Sequence, residues 1–350
     1  MAEEGAVSQV SYEDLAQIED EFEEIDLEHV LMILLQVRHH YELSKPAFAK
    51  RAEAIAKIPN FWPLVFEQAP PEIDQFIQPS DSRIFAESLL NLSVTRPELP
   101  SGHPRSLSIR FEFKPNDFFE ETVLEKHFSY RRAKDGWAGL VSEPVKITWK
   151  KGQDLTEGLV EDARKLFEAR KGKGDMLARD LPEYQRLKKQ VEHLNGAGTS
   201  FFTWFGFVSG RRWVSAEESE EANREHQQKK QKEEGKAKKQ DEKEDEDGEA
   251  EEEDDDDDKE DDSDVEVHEA GEELATFLAE DLWPNAIKFF TSAQEIEEMS
   301  DIDFEEMDED EGEEEDDDDN EPVDIRALVS EKGGRKRDSD VGPPKKKAKK

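Results

Sequence analysis

From Tyr12 to Ser44 no proline or glycine interrupts the chain. Apolar residues fall at Leu15, Ile18, Phe22 and Ile25, then at Leu27, Val30, Leu34, Val37 and Tyr41. Within each series the spacing is three and four, so the segment reads as one long helix whose apolar seam slips phase once, near Asp26. At 1.5 Å per residue it would extend roughly 50 Å, longer than a small domain is wide. One chain cannot easily cover such a seam, and a partner helix from a second copy, antiparallel or parallel, is expected to do so. The alternative is a helix laid along its own domain. Pro46 is expected to kink or end the helix, with Phe48, Ala52 and Ile55 resuming a helical face after it.

Downstream the period changes from that of a helix to that of a strand. Residues 83–149 alternate at Leu90, Leu92 and Val94; at Leu107, Ile109, Phe111 and Phe113; at Leu124, Lys126, Phe128 and Tyr130; and at Val145, Ile147 and Trp149. This predicts four half-buried strands. The connections carry Pro97, Pro100, Gly102 and Pro104, then Pro115, Asn116 and Asp117, then Asp135 and Gly136. These form turns and leave no room for crossover helices, so the sheet should be an antiparallel meander.

Residues 157–195 return to helical spacing, with Leu159, Ala163, Leu166 and Phe167 on one face. After a break at Gly172–Gly174 come Leu177, Tyr184, Leu187, Val191 and Leu194. The fold class is therefore α+β, helices layered on one four-stranded antiparallel sheet. From 216 to 268 large apolar side chains almost vanish, and a charged, disordered insertion is expected there. A helix should follow over Glu269–Ser292, with Leu274, Phe277, Leu278, Leu282 and Trp283 on its face and Pro284 as its stop.

Charge is distributed just as unevenly. The 350 residues carry 90 acidic against 48 basic side chains, a net charge of -42. The runs Asp241–Asp264 and Asp301–Glu321 together account for -33 of it. Such a polyanion points to cationic partners. The chain has no cysteine, which excludes disulfides, thiolate nucleophiles and sulfur-ligated zinc. Neither an apolar leader nor a membrane-length apolar stretch is seen. Gly-rich phosphate loops, paired-His metal motifs and nucleophile elbows are missing too; Lys171–Asp175, reading KGKGD, lacks the strand and the terminal Lys-Ser/Thr of a phosphate cradle. His39 and His40 read as helix surface. No enzymatic activity, cofactor, metal, membrane partner or small-molecule substrate is expected. The aromatics Phe61, Trp62, Phe201, Phe202, Trp204, Phe205 and Trp283 lack interleaved Lys or Arg, so they suit core packing better than base stacking.

Three signatures occur in a telling order: KIPNFW at Lys57–Trp62, FFTWF at Phe201–Phe205 and DLWPNAIKFF at Asp281–Phe290. Together with NDFFEETVLEKHF and ITWKKGQDLT within Asn116–Thr156, they resemble the SET-like branch of the nucleosome assembly protein family over nearly all of residues 12–293. The stretch between Thr156 and Ser200 is longer than in that pattern, and the insertion replaces a short loop.

The resemblance implies a homodimer joined through the long helices at Leu15, Ile18, Phe22, Ile25, Val30, Leu34, Val37 and Tyr41. It implies an earmuff domain that binds core histones on a concave underside. On this reading residues 1–58 form the dimerisation helix and its arm, 59–300 the earmuff domain with the insertion 216–268, 301–331 an acidic tail and 332–350 a basic tail. Histone contacts are expected at Thr203, Glu272, Glu273, Glu280 and Asp281, where Glu269, Glu273 and Glu280 share a helix face opposite Leu274 and Leu278. Flexible capture is expected from Asp308, Glu309, Asp310 and Glu311 in the tail. Arg335, Lys336, Arg337, Lys345, Lys346 and Lys347 are spaced like a bipartite signal for a nuclear import receptor, which implies a nuclear protein able to shuttle with the cytoplasm. The same branch suggests a second function, as inhibitor of a protein phosphatase or partner of a histone acetyltransferase. Weak calcium buffering by the acidic runs is a third.

Overall fold

The computed structural model describes residues 12–194, 198–240 and 264–306. Helix α1 spans Tyr12–Ile55, 44 residues or roughly 66 Å at 1.5 Å each. It continues through Pro46, so the proline does not end the helix. An interior proline removes one backbone hydrogen bond and crowds the preceding turn, at a cost of about 3 kcal/mol or more. Around it the Ser44 hydroxyl donates to His40 O at 2.6 Å, and the turns that follow are pinned to the domain. The Arg51 guanidinium lies 4.8 Å from the Phe48 ring and 4.6 Å from the Trp283 ring, and donates to Trp283 O and Pro284 O at 2.5 and 3.1 Å. Burial pulls the Arg51 pKa down to about 10. Ile55 is buried in the core.

The N-terminal half of α1 has no such support. Leu15, Ile18, Phe22, Ile25 and Val30 are exposed, Phe22 by 64%. The expected seam also splits: Val37 and Tyr41 line a groove that α1 forms with its own domain at Val94, Arg96 and Trp283.

Short helices α2 (Phe61–Glu67), α3 (Pro71–Asp74) and α4 (Pro79–Ser88) lead into the sheet. Strands β1 (Leu89–Thr95), β2 (Leu107–Phe113), β3 (Val123–Arg132) and β4 (Ala138–Ser142) form one antiparallel meander in that order. The register sets Leu92 against Phe111, Phe111 against Leu124 and Ile109 against Lys126, so these residues share the inner face. Two expectations change here. A register shift between Leu89 and Asn91 turns Leu90 outward, 51% exposed, while Leu89 is buried. The fourth strand is Ala138–Ser142, entered directly from the Asp135–Gly136 turn, and not the run at Val145, Ile147 and Trp149. Past Pro144 that run is a strap, part-buried against the core and tied by Val145 N to Phe205 O at 2.8 Å.

Helices α5 (Leu159–Lys173) and α6 (Pro182–Leu194) pack together as a satellite core with Leu159, Ala163, Leu166, Tyr184 and Leu187. The KGKGD stretch ends α5, with Gly174 at φ 75 as its left-handed cap. Leu177, expected on the inner face, is exposed in the link.

The insertion is not uniformly without structure. Residues Ala216–Gln240 form helix α7, rich in Ala, Glu, Gln and Lys and free of proline. Its foot is held by Arg132 N donating to Ser219 Oγ at 2.9 Å and by a Lys134–Glu221 ion pair at 2.7 Å. Residues 264–268 pack against the domain; 241–263 lie outside the described residues. Helix α8 (Gly271–Phe277) continues as one π-helical turn, Leu278–Leu282, before Pro284 breaks the axis. Helix α9 (Ala286–Glu306) then runs past the boundary expected at 301. Asp308–Glu311 and the basic tail lie outside the described residues. No described helix is long and apolar enough to cross a membrane.

Candidate functional site

The inner face of the sheet is covered by a single aromatic layer. Phe201–Gly206 forms a 3-10 turn in which Phe201, Phe202, Trp204 and Phe205 are fully buried. Its start is fixed by Asp81, whose carboxylate accepts from Ser200 Oγ at 2.5 Å, Phe201 N at 2.7 Å and Gln78 N at 2.9 Å. Burial raises the Asp81 pKa against these bonds. On the far side Trp204 Nε1 donates to Gly271 O at 2.9 Å. A Cβ at position 271 would lie 2.1 Å from the Phe207 ring, so only glycine lets α8 approach this closely.

Two ionisable side chains hold the segment that leaves this turn. Lys126, on an inward position of β3 and wholly buried, donates from Nζ to Glu143 O, Phe205 O and Phe207 O at 3.2, 3.1 and 2.9 Å. Burial pulls its pKa down to about 7, while three carbonyl acceptors call for the three-donor ammonium. Glu266 is the counterpart: its carboxylate accepts from Val208 N and Val267 N at 2.9 and 2.8 Å and from Ser209 N and His268 N at 3.3 Å each. Burial pushes it up to about 7. Carbonyls of the 205–208 segment thus point to a cation and its N–H groups to an anion. Nearby, Asp264 accepts a forked pair from Arg170, which closes the insertion onto α5.

His268 is buried, its Nδ1 without a hydrogen-bond partner and its ring 4.9 Å from Phe76. Burial holds its pKa down at about 4. From pH 6.5 down to 4 the unfolded chain therefore binds a proton that the folded chain refuses, and this group's contribution to stability falls as pH falls. His268→Asn should flatten that fall by up to about 3 kcal/mol, at 1.36 kcal/mol per pKa unit. Denaturant unfolding of both chains at pH 7 and 4.5 measures the difference.

The surface expected to meet a partner is narrower than its sequence implied. Leu274, Leu278 and Leu282 are buried and Glu269, Glu273 and Glu280 face outward, as their spacing required. Thr203 is fully buried, its hydroxyl donating to Ser200 O at 2.8 Å, and cannot touch a partner. Glu272 is part-buried and accepts from Leu140 N at 3.1 Å, tying α8 to β4; burial raises its pKa. Glu280 pairs with Arg96 at 3.1 Å. Asp281 accepts from Asn285 Nδ2 at 2.9 Å. Glu269 and Glu273 remain as outward carboxylates without an ion-pair partner among the described residues. The residues that organise this face, Asp81, Lys126, Arg96 and Glu266, were not expected as such. Only Lys126 left a signal: it occupies an inward position in an otherwise apolar alternation.

A family model described as nucleosome assembly protein matches residues 8–293. A putative nucleosome assembly protein of Schizosaccharomyces pombe is 29% identical over 304 residues, covering 84% of each chain. NAP1-related protein 1 of Arabidopsis thaliana is 31% identical over 218 residues, 62% of this chain and 68% of that one. Among solved structures, Ccp1 is 26% identical with a TM-score of 0.45, covering 80% of this chain and 97% of its own. The Vps75 histone chaperone is 21% identical with a TM-score of 0.41 and the same coverages.

Proposed function

The chain belongs to the nucleosome assembly protein family, and from that premise we propose that it is a nuclear, dimeric histone chaperone that acts by binding and not by catalysis. The observation that carries this reading is the separation of charge from fold. Two runs hold -33 of the net -42, and both are attached to a body whose own core is built on an aromatic layer. Free histones bind DNA by neutralising phosphates, so a carrier must offer a competing polyanion. Asp/Glu runs do this with fast, salt-sensitive contacts that demand no fixed geometry. The fixed carboxylates Glu269 and Glu273, with Glu280 and Asp281 behind them, would orient what the runs capture.

The dimer is part of the proposal. The exposed row Leu15, Ile18, Phe22 and Ile25 would contribute about 1.5–3 kcal/mol per side chain once fully covered. The basic tail, through Arg335–Arg337 and Lys345–Lys347, is proposed to recruit an import receptor.

Reversing Glu269, Glu273, Glu280 and Asp281 to Lys in the full chain should weaken binding of core histone pairs about 10-fold, near 1.4 kcal/mol. Glu272 is left intact because it caps Leu140 N. Titration at physiological salt, with melting recorded alongside, reads the effect; an unchanged affinity would remove the folded face from the mechanism.

A further inference from the structure

Where the satellite core of α5 and α6 meets the main core lies an open groove of about 530 Å³. Its apolar lining comes from Leu159 at the start of α5, from Val191 and Leu194 near the end of α6, and from Phe76. Thr199 and the 266–270 segment complete it. Helices α5 and α6 belong to the stretch between Thr156 and Ser200 that is longer than the family pattern. Part of the groove is therefore built by what this chain adds to that pattern.

Among the described residues no Lys or Arg lines the groove, while two carboxylates do. The Glu266 carboxylate is already held by four backbone N–H groups. That of Glu269 is exposed and has no ion-pair partner among the described residues. His268 is only 6% exposed, its ring 4.9 Å from Phe76 and its Nδ1 without a hydrogen-bond partner. Burial keeps this imidazole neutral at physiological pH, so one of its nitrogens is an acceptor. Apolar walls, a free carboxylate and a buried acceptor suit a long side chain with a methylene stem and a cationic head. An anion would meet only like charge, and a purely apolar group would leave the carboxylate and the acceptor unanswered.

We propose that this groove receives one Lys or Arg side chain of the histone cargo, its stem against Phe76, Val191 and Leu194 and its cationic head between Glu269 and the His268 imidazole. This rests on the chaperone reading above and gives the folded face one contact of fixed geometry. Glu273, four residues on and outward, is left for a second cation, so the captured segment runs from the groove toward α8. Unlike the contacts of the acidic runs, a side chain enclosed in the groove is little screened by salt.

The chain has no cysteine, so Thr199→Cys puts a single thiol in the groove. A bulky, uncharged maleimide added to the full chain after folding then blocks the groove, which separates the block from any folding defect. Core histone pairs are titrated against labelled and unlabelled chains at a salt concentration that screens the runs. The label should weaken binding about 10-fold, the scale of one charge-assisted hydrogen bond. Glu269→Gln should weaken the unlabelled chain similarly and add little to the labelled one, because both changes act at one site. With lysine-acetylated histone pairs the effect of the label should vanish if the inserted side chain is lysine and persist if it is arginine. Equal affinity with and without the label, or losses that simply add, would overturn the groove and leave the chaperone reading standing. A parent chain that binds no histone pair would overturn both.

Discussion

Lys126→Met is expected to lower the stability of the chain by about 3–5 kcal/mol, the cost of removing one member of a buried, hydrogen-bonded charge arrangement. The thioether removes the ammonium that lies 5.5 and 6.0 Å from the Phe128 and Trp204 rings, and Glu143 O, Phe205 O and Phe207 O lose their donor inside the core. Each orphaned carbonyl carries a desolvation penalty of about 1–3 kcal/mol, partly relieved by water or local shifts. Glu266 loses its nearest compensating cation as well, although four backbone N–H groups still hold it. Lys126→Met with Glu266→Gln should therefore cost less than the sum of the single changes. Denaturant midpoints of the four chains in the cycle test this; strict additivity would mean that the two groups hold the 205–208 segment independently.

Replacing the Asp and Glu residues of 241–263 and 307–321 by Asn and Gln should weaken capture of core histone pairs roughly 100-fold at low salt, about 2.7 kcal/mol. The loss should shrink as salt rises, because contacts between exposed charges are screened beyond about 8 Å at physiological ionic strength. At high salt the two chains should converge on the affinity of the folded face alone. Titrations across a salt series read both the loss and the change in slope. Equal affinity at low salt would mean that the runs are not the means of capture and that the proposed division of labour is wrong.

What the sequence made legible is the part governed by periodicity. The long helix, the meander order and the inward residues of β2 and β3 follow from spacings of 3.6 and 2, which backbone geometry imposes locally. The misplaced fourth strand shows the limit: Val145, Ile147 and Trp149 alternate as a strand does, but the partner edge is taken by Ala138–Ser142, and pairing is decided across the fold. Pro46 does not end the helix because its local cost is offset by the contacts of Phe48 and Arg51 with Trp283, more than 200 positions away. Asp264 and Glu266 were hidden at the end of an acidic run and just past it, where nothing local distinguishes a solvated carboxylate from one enclosed by N–H groups or by Arg170. The expected surface suffered likewise: Thr203 sits in the FFTWF motif and Glu272 in the first turn of α8, yet each spends polar atoms on the fold.

The wedge of Arg51 between Phe48 and Trp283 fastens the C-terminal turns of α1 to its domain, and the helix continues through Pro46. In a dimer paired through that helix, the gap between the two domains is then fixed by the number of residues from the two-fold axis to Arg51, at about 1.5 Å for each. The molecule would work as a pair of calipers, and the size of the cargo it admits would be set by the length of that helix.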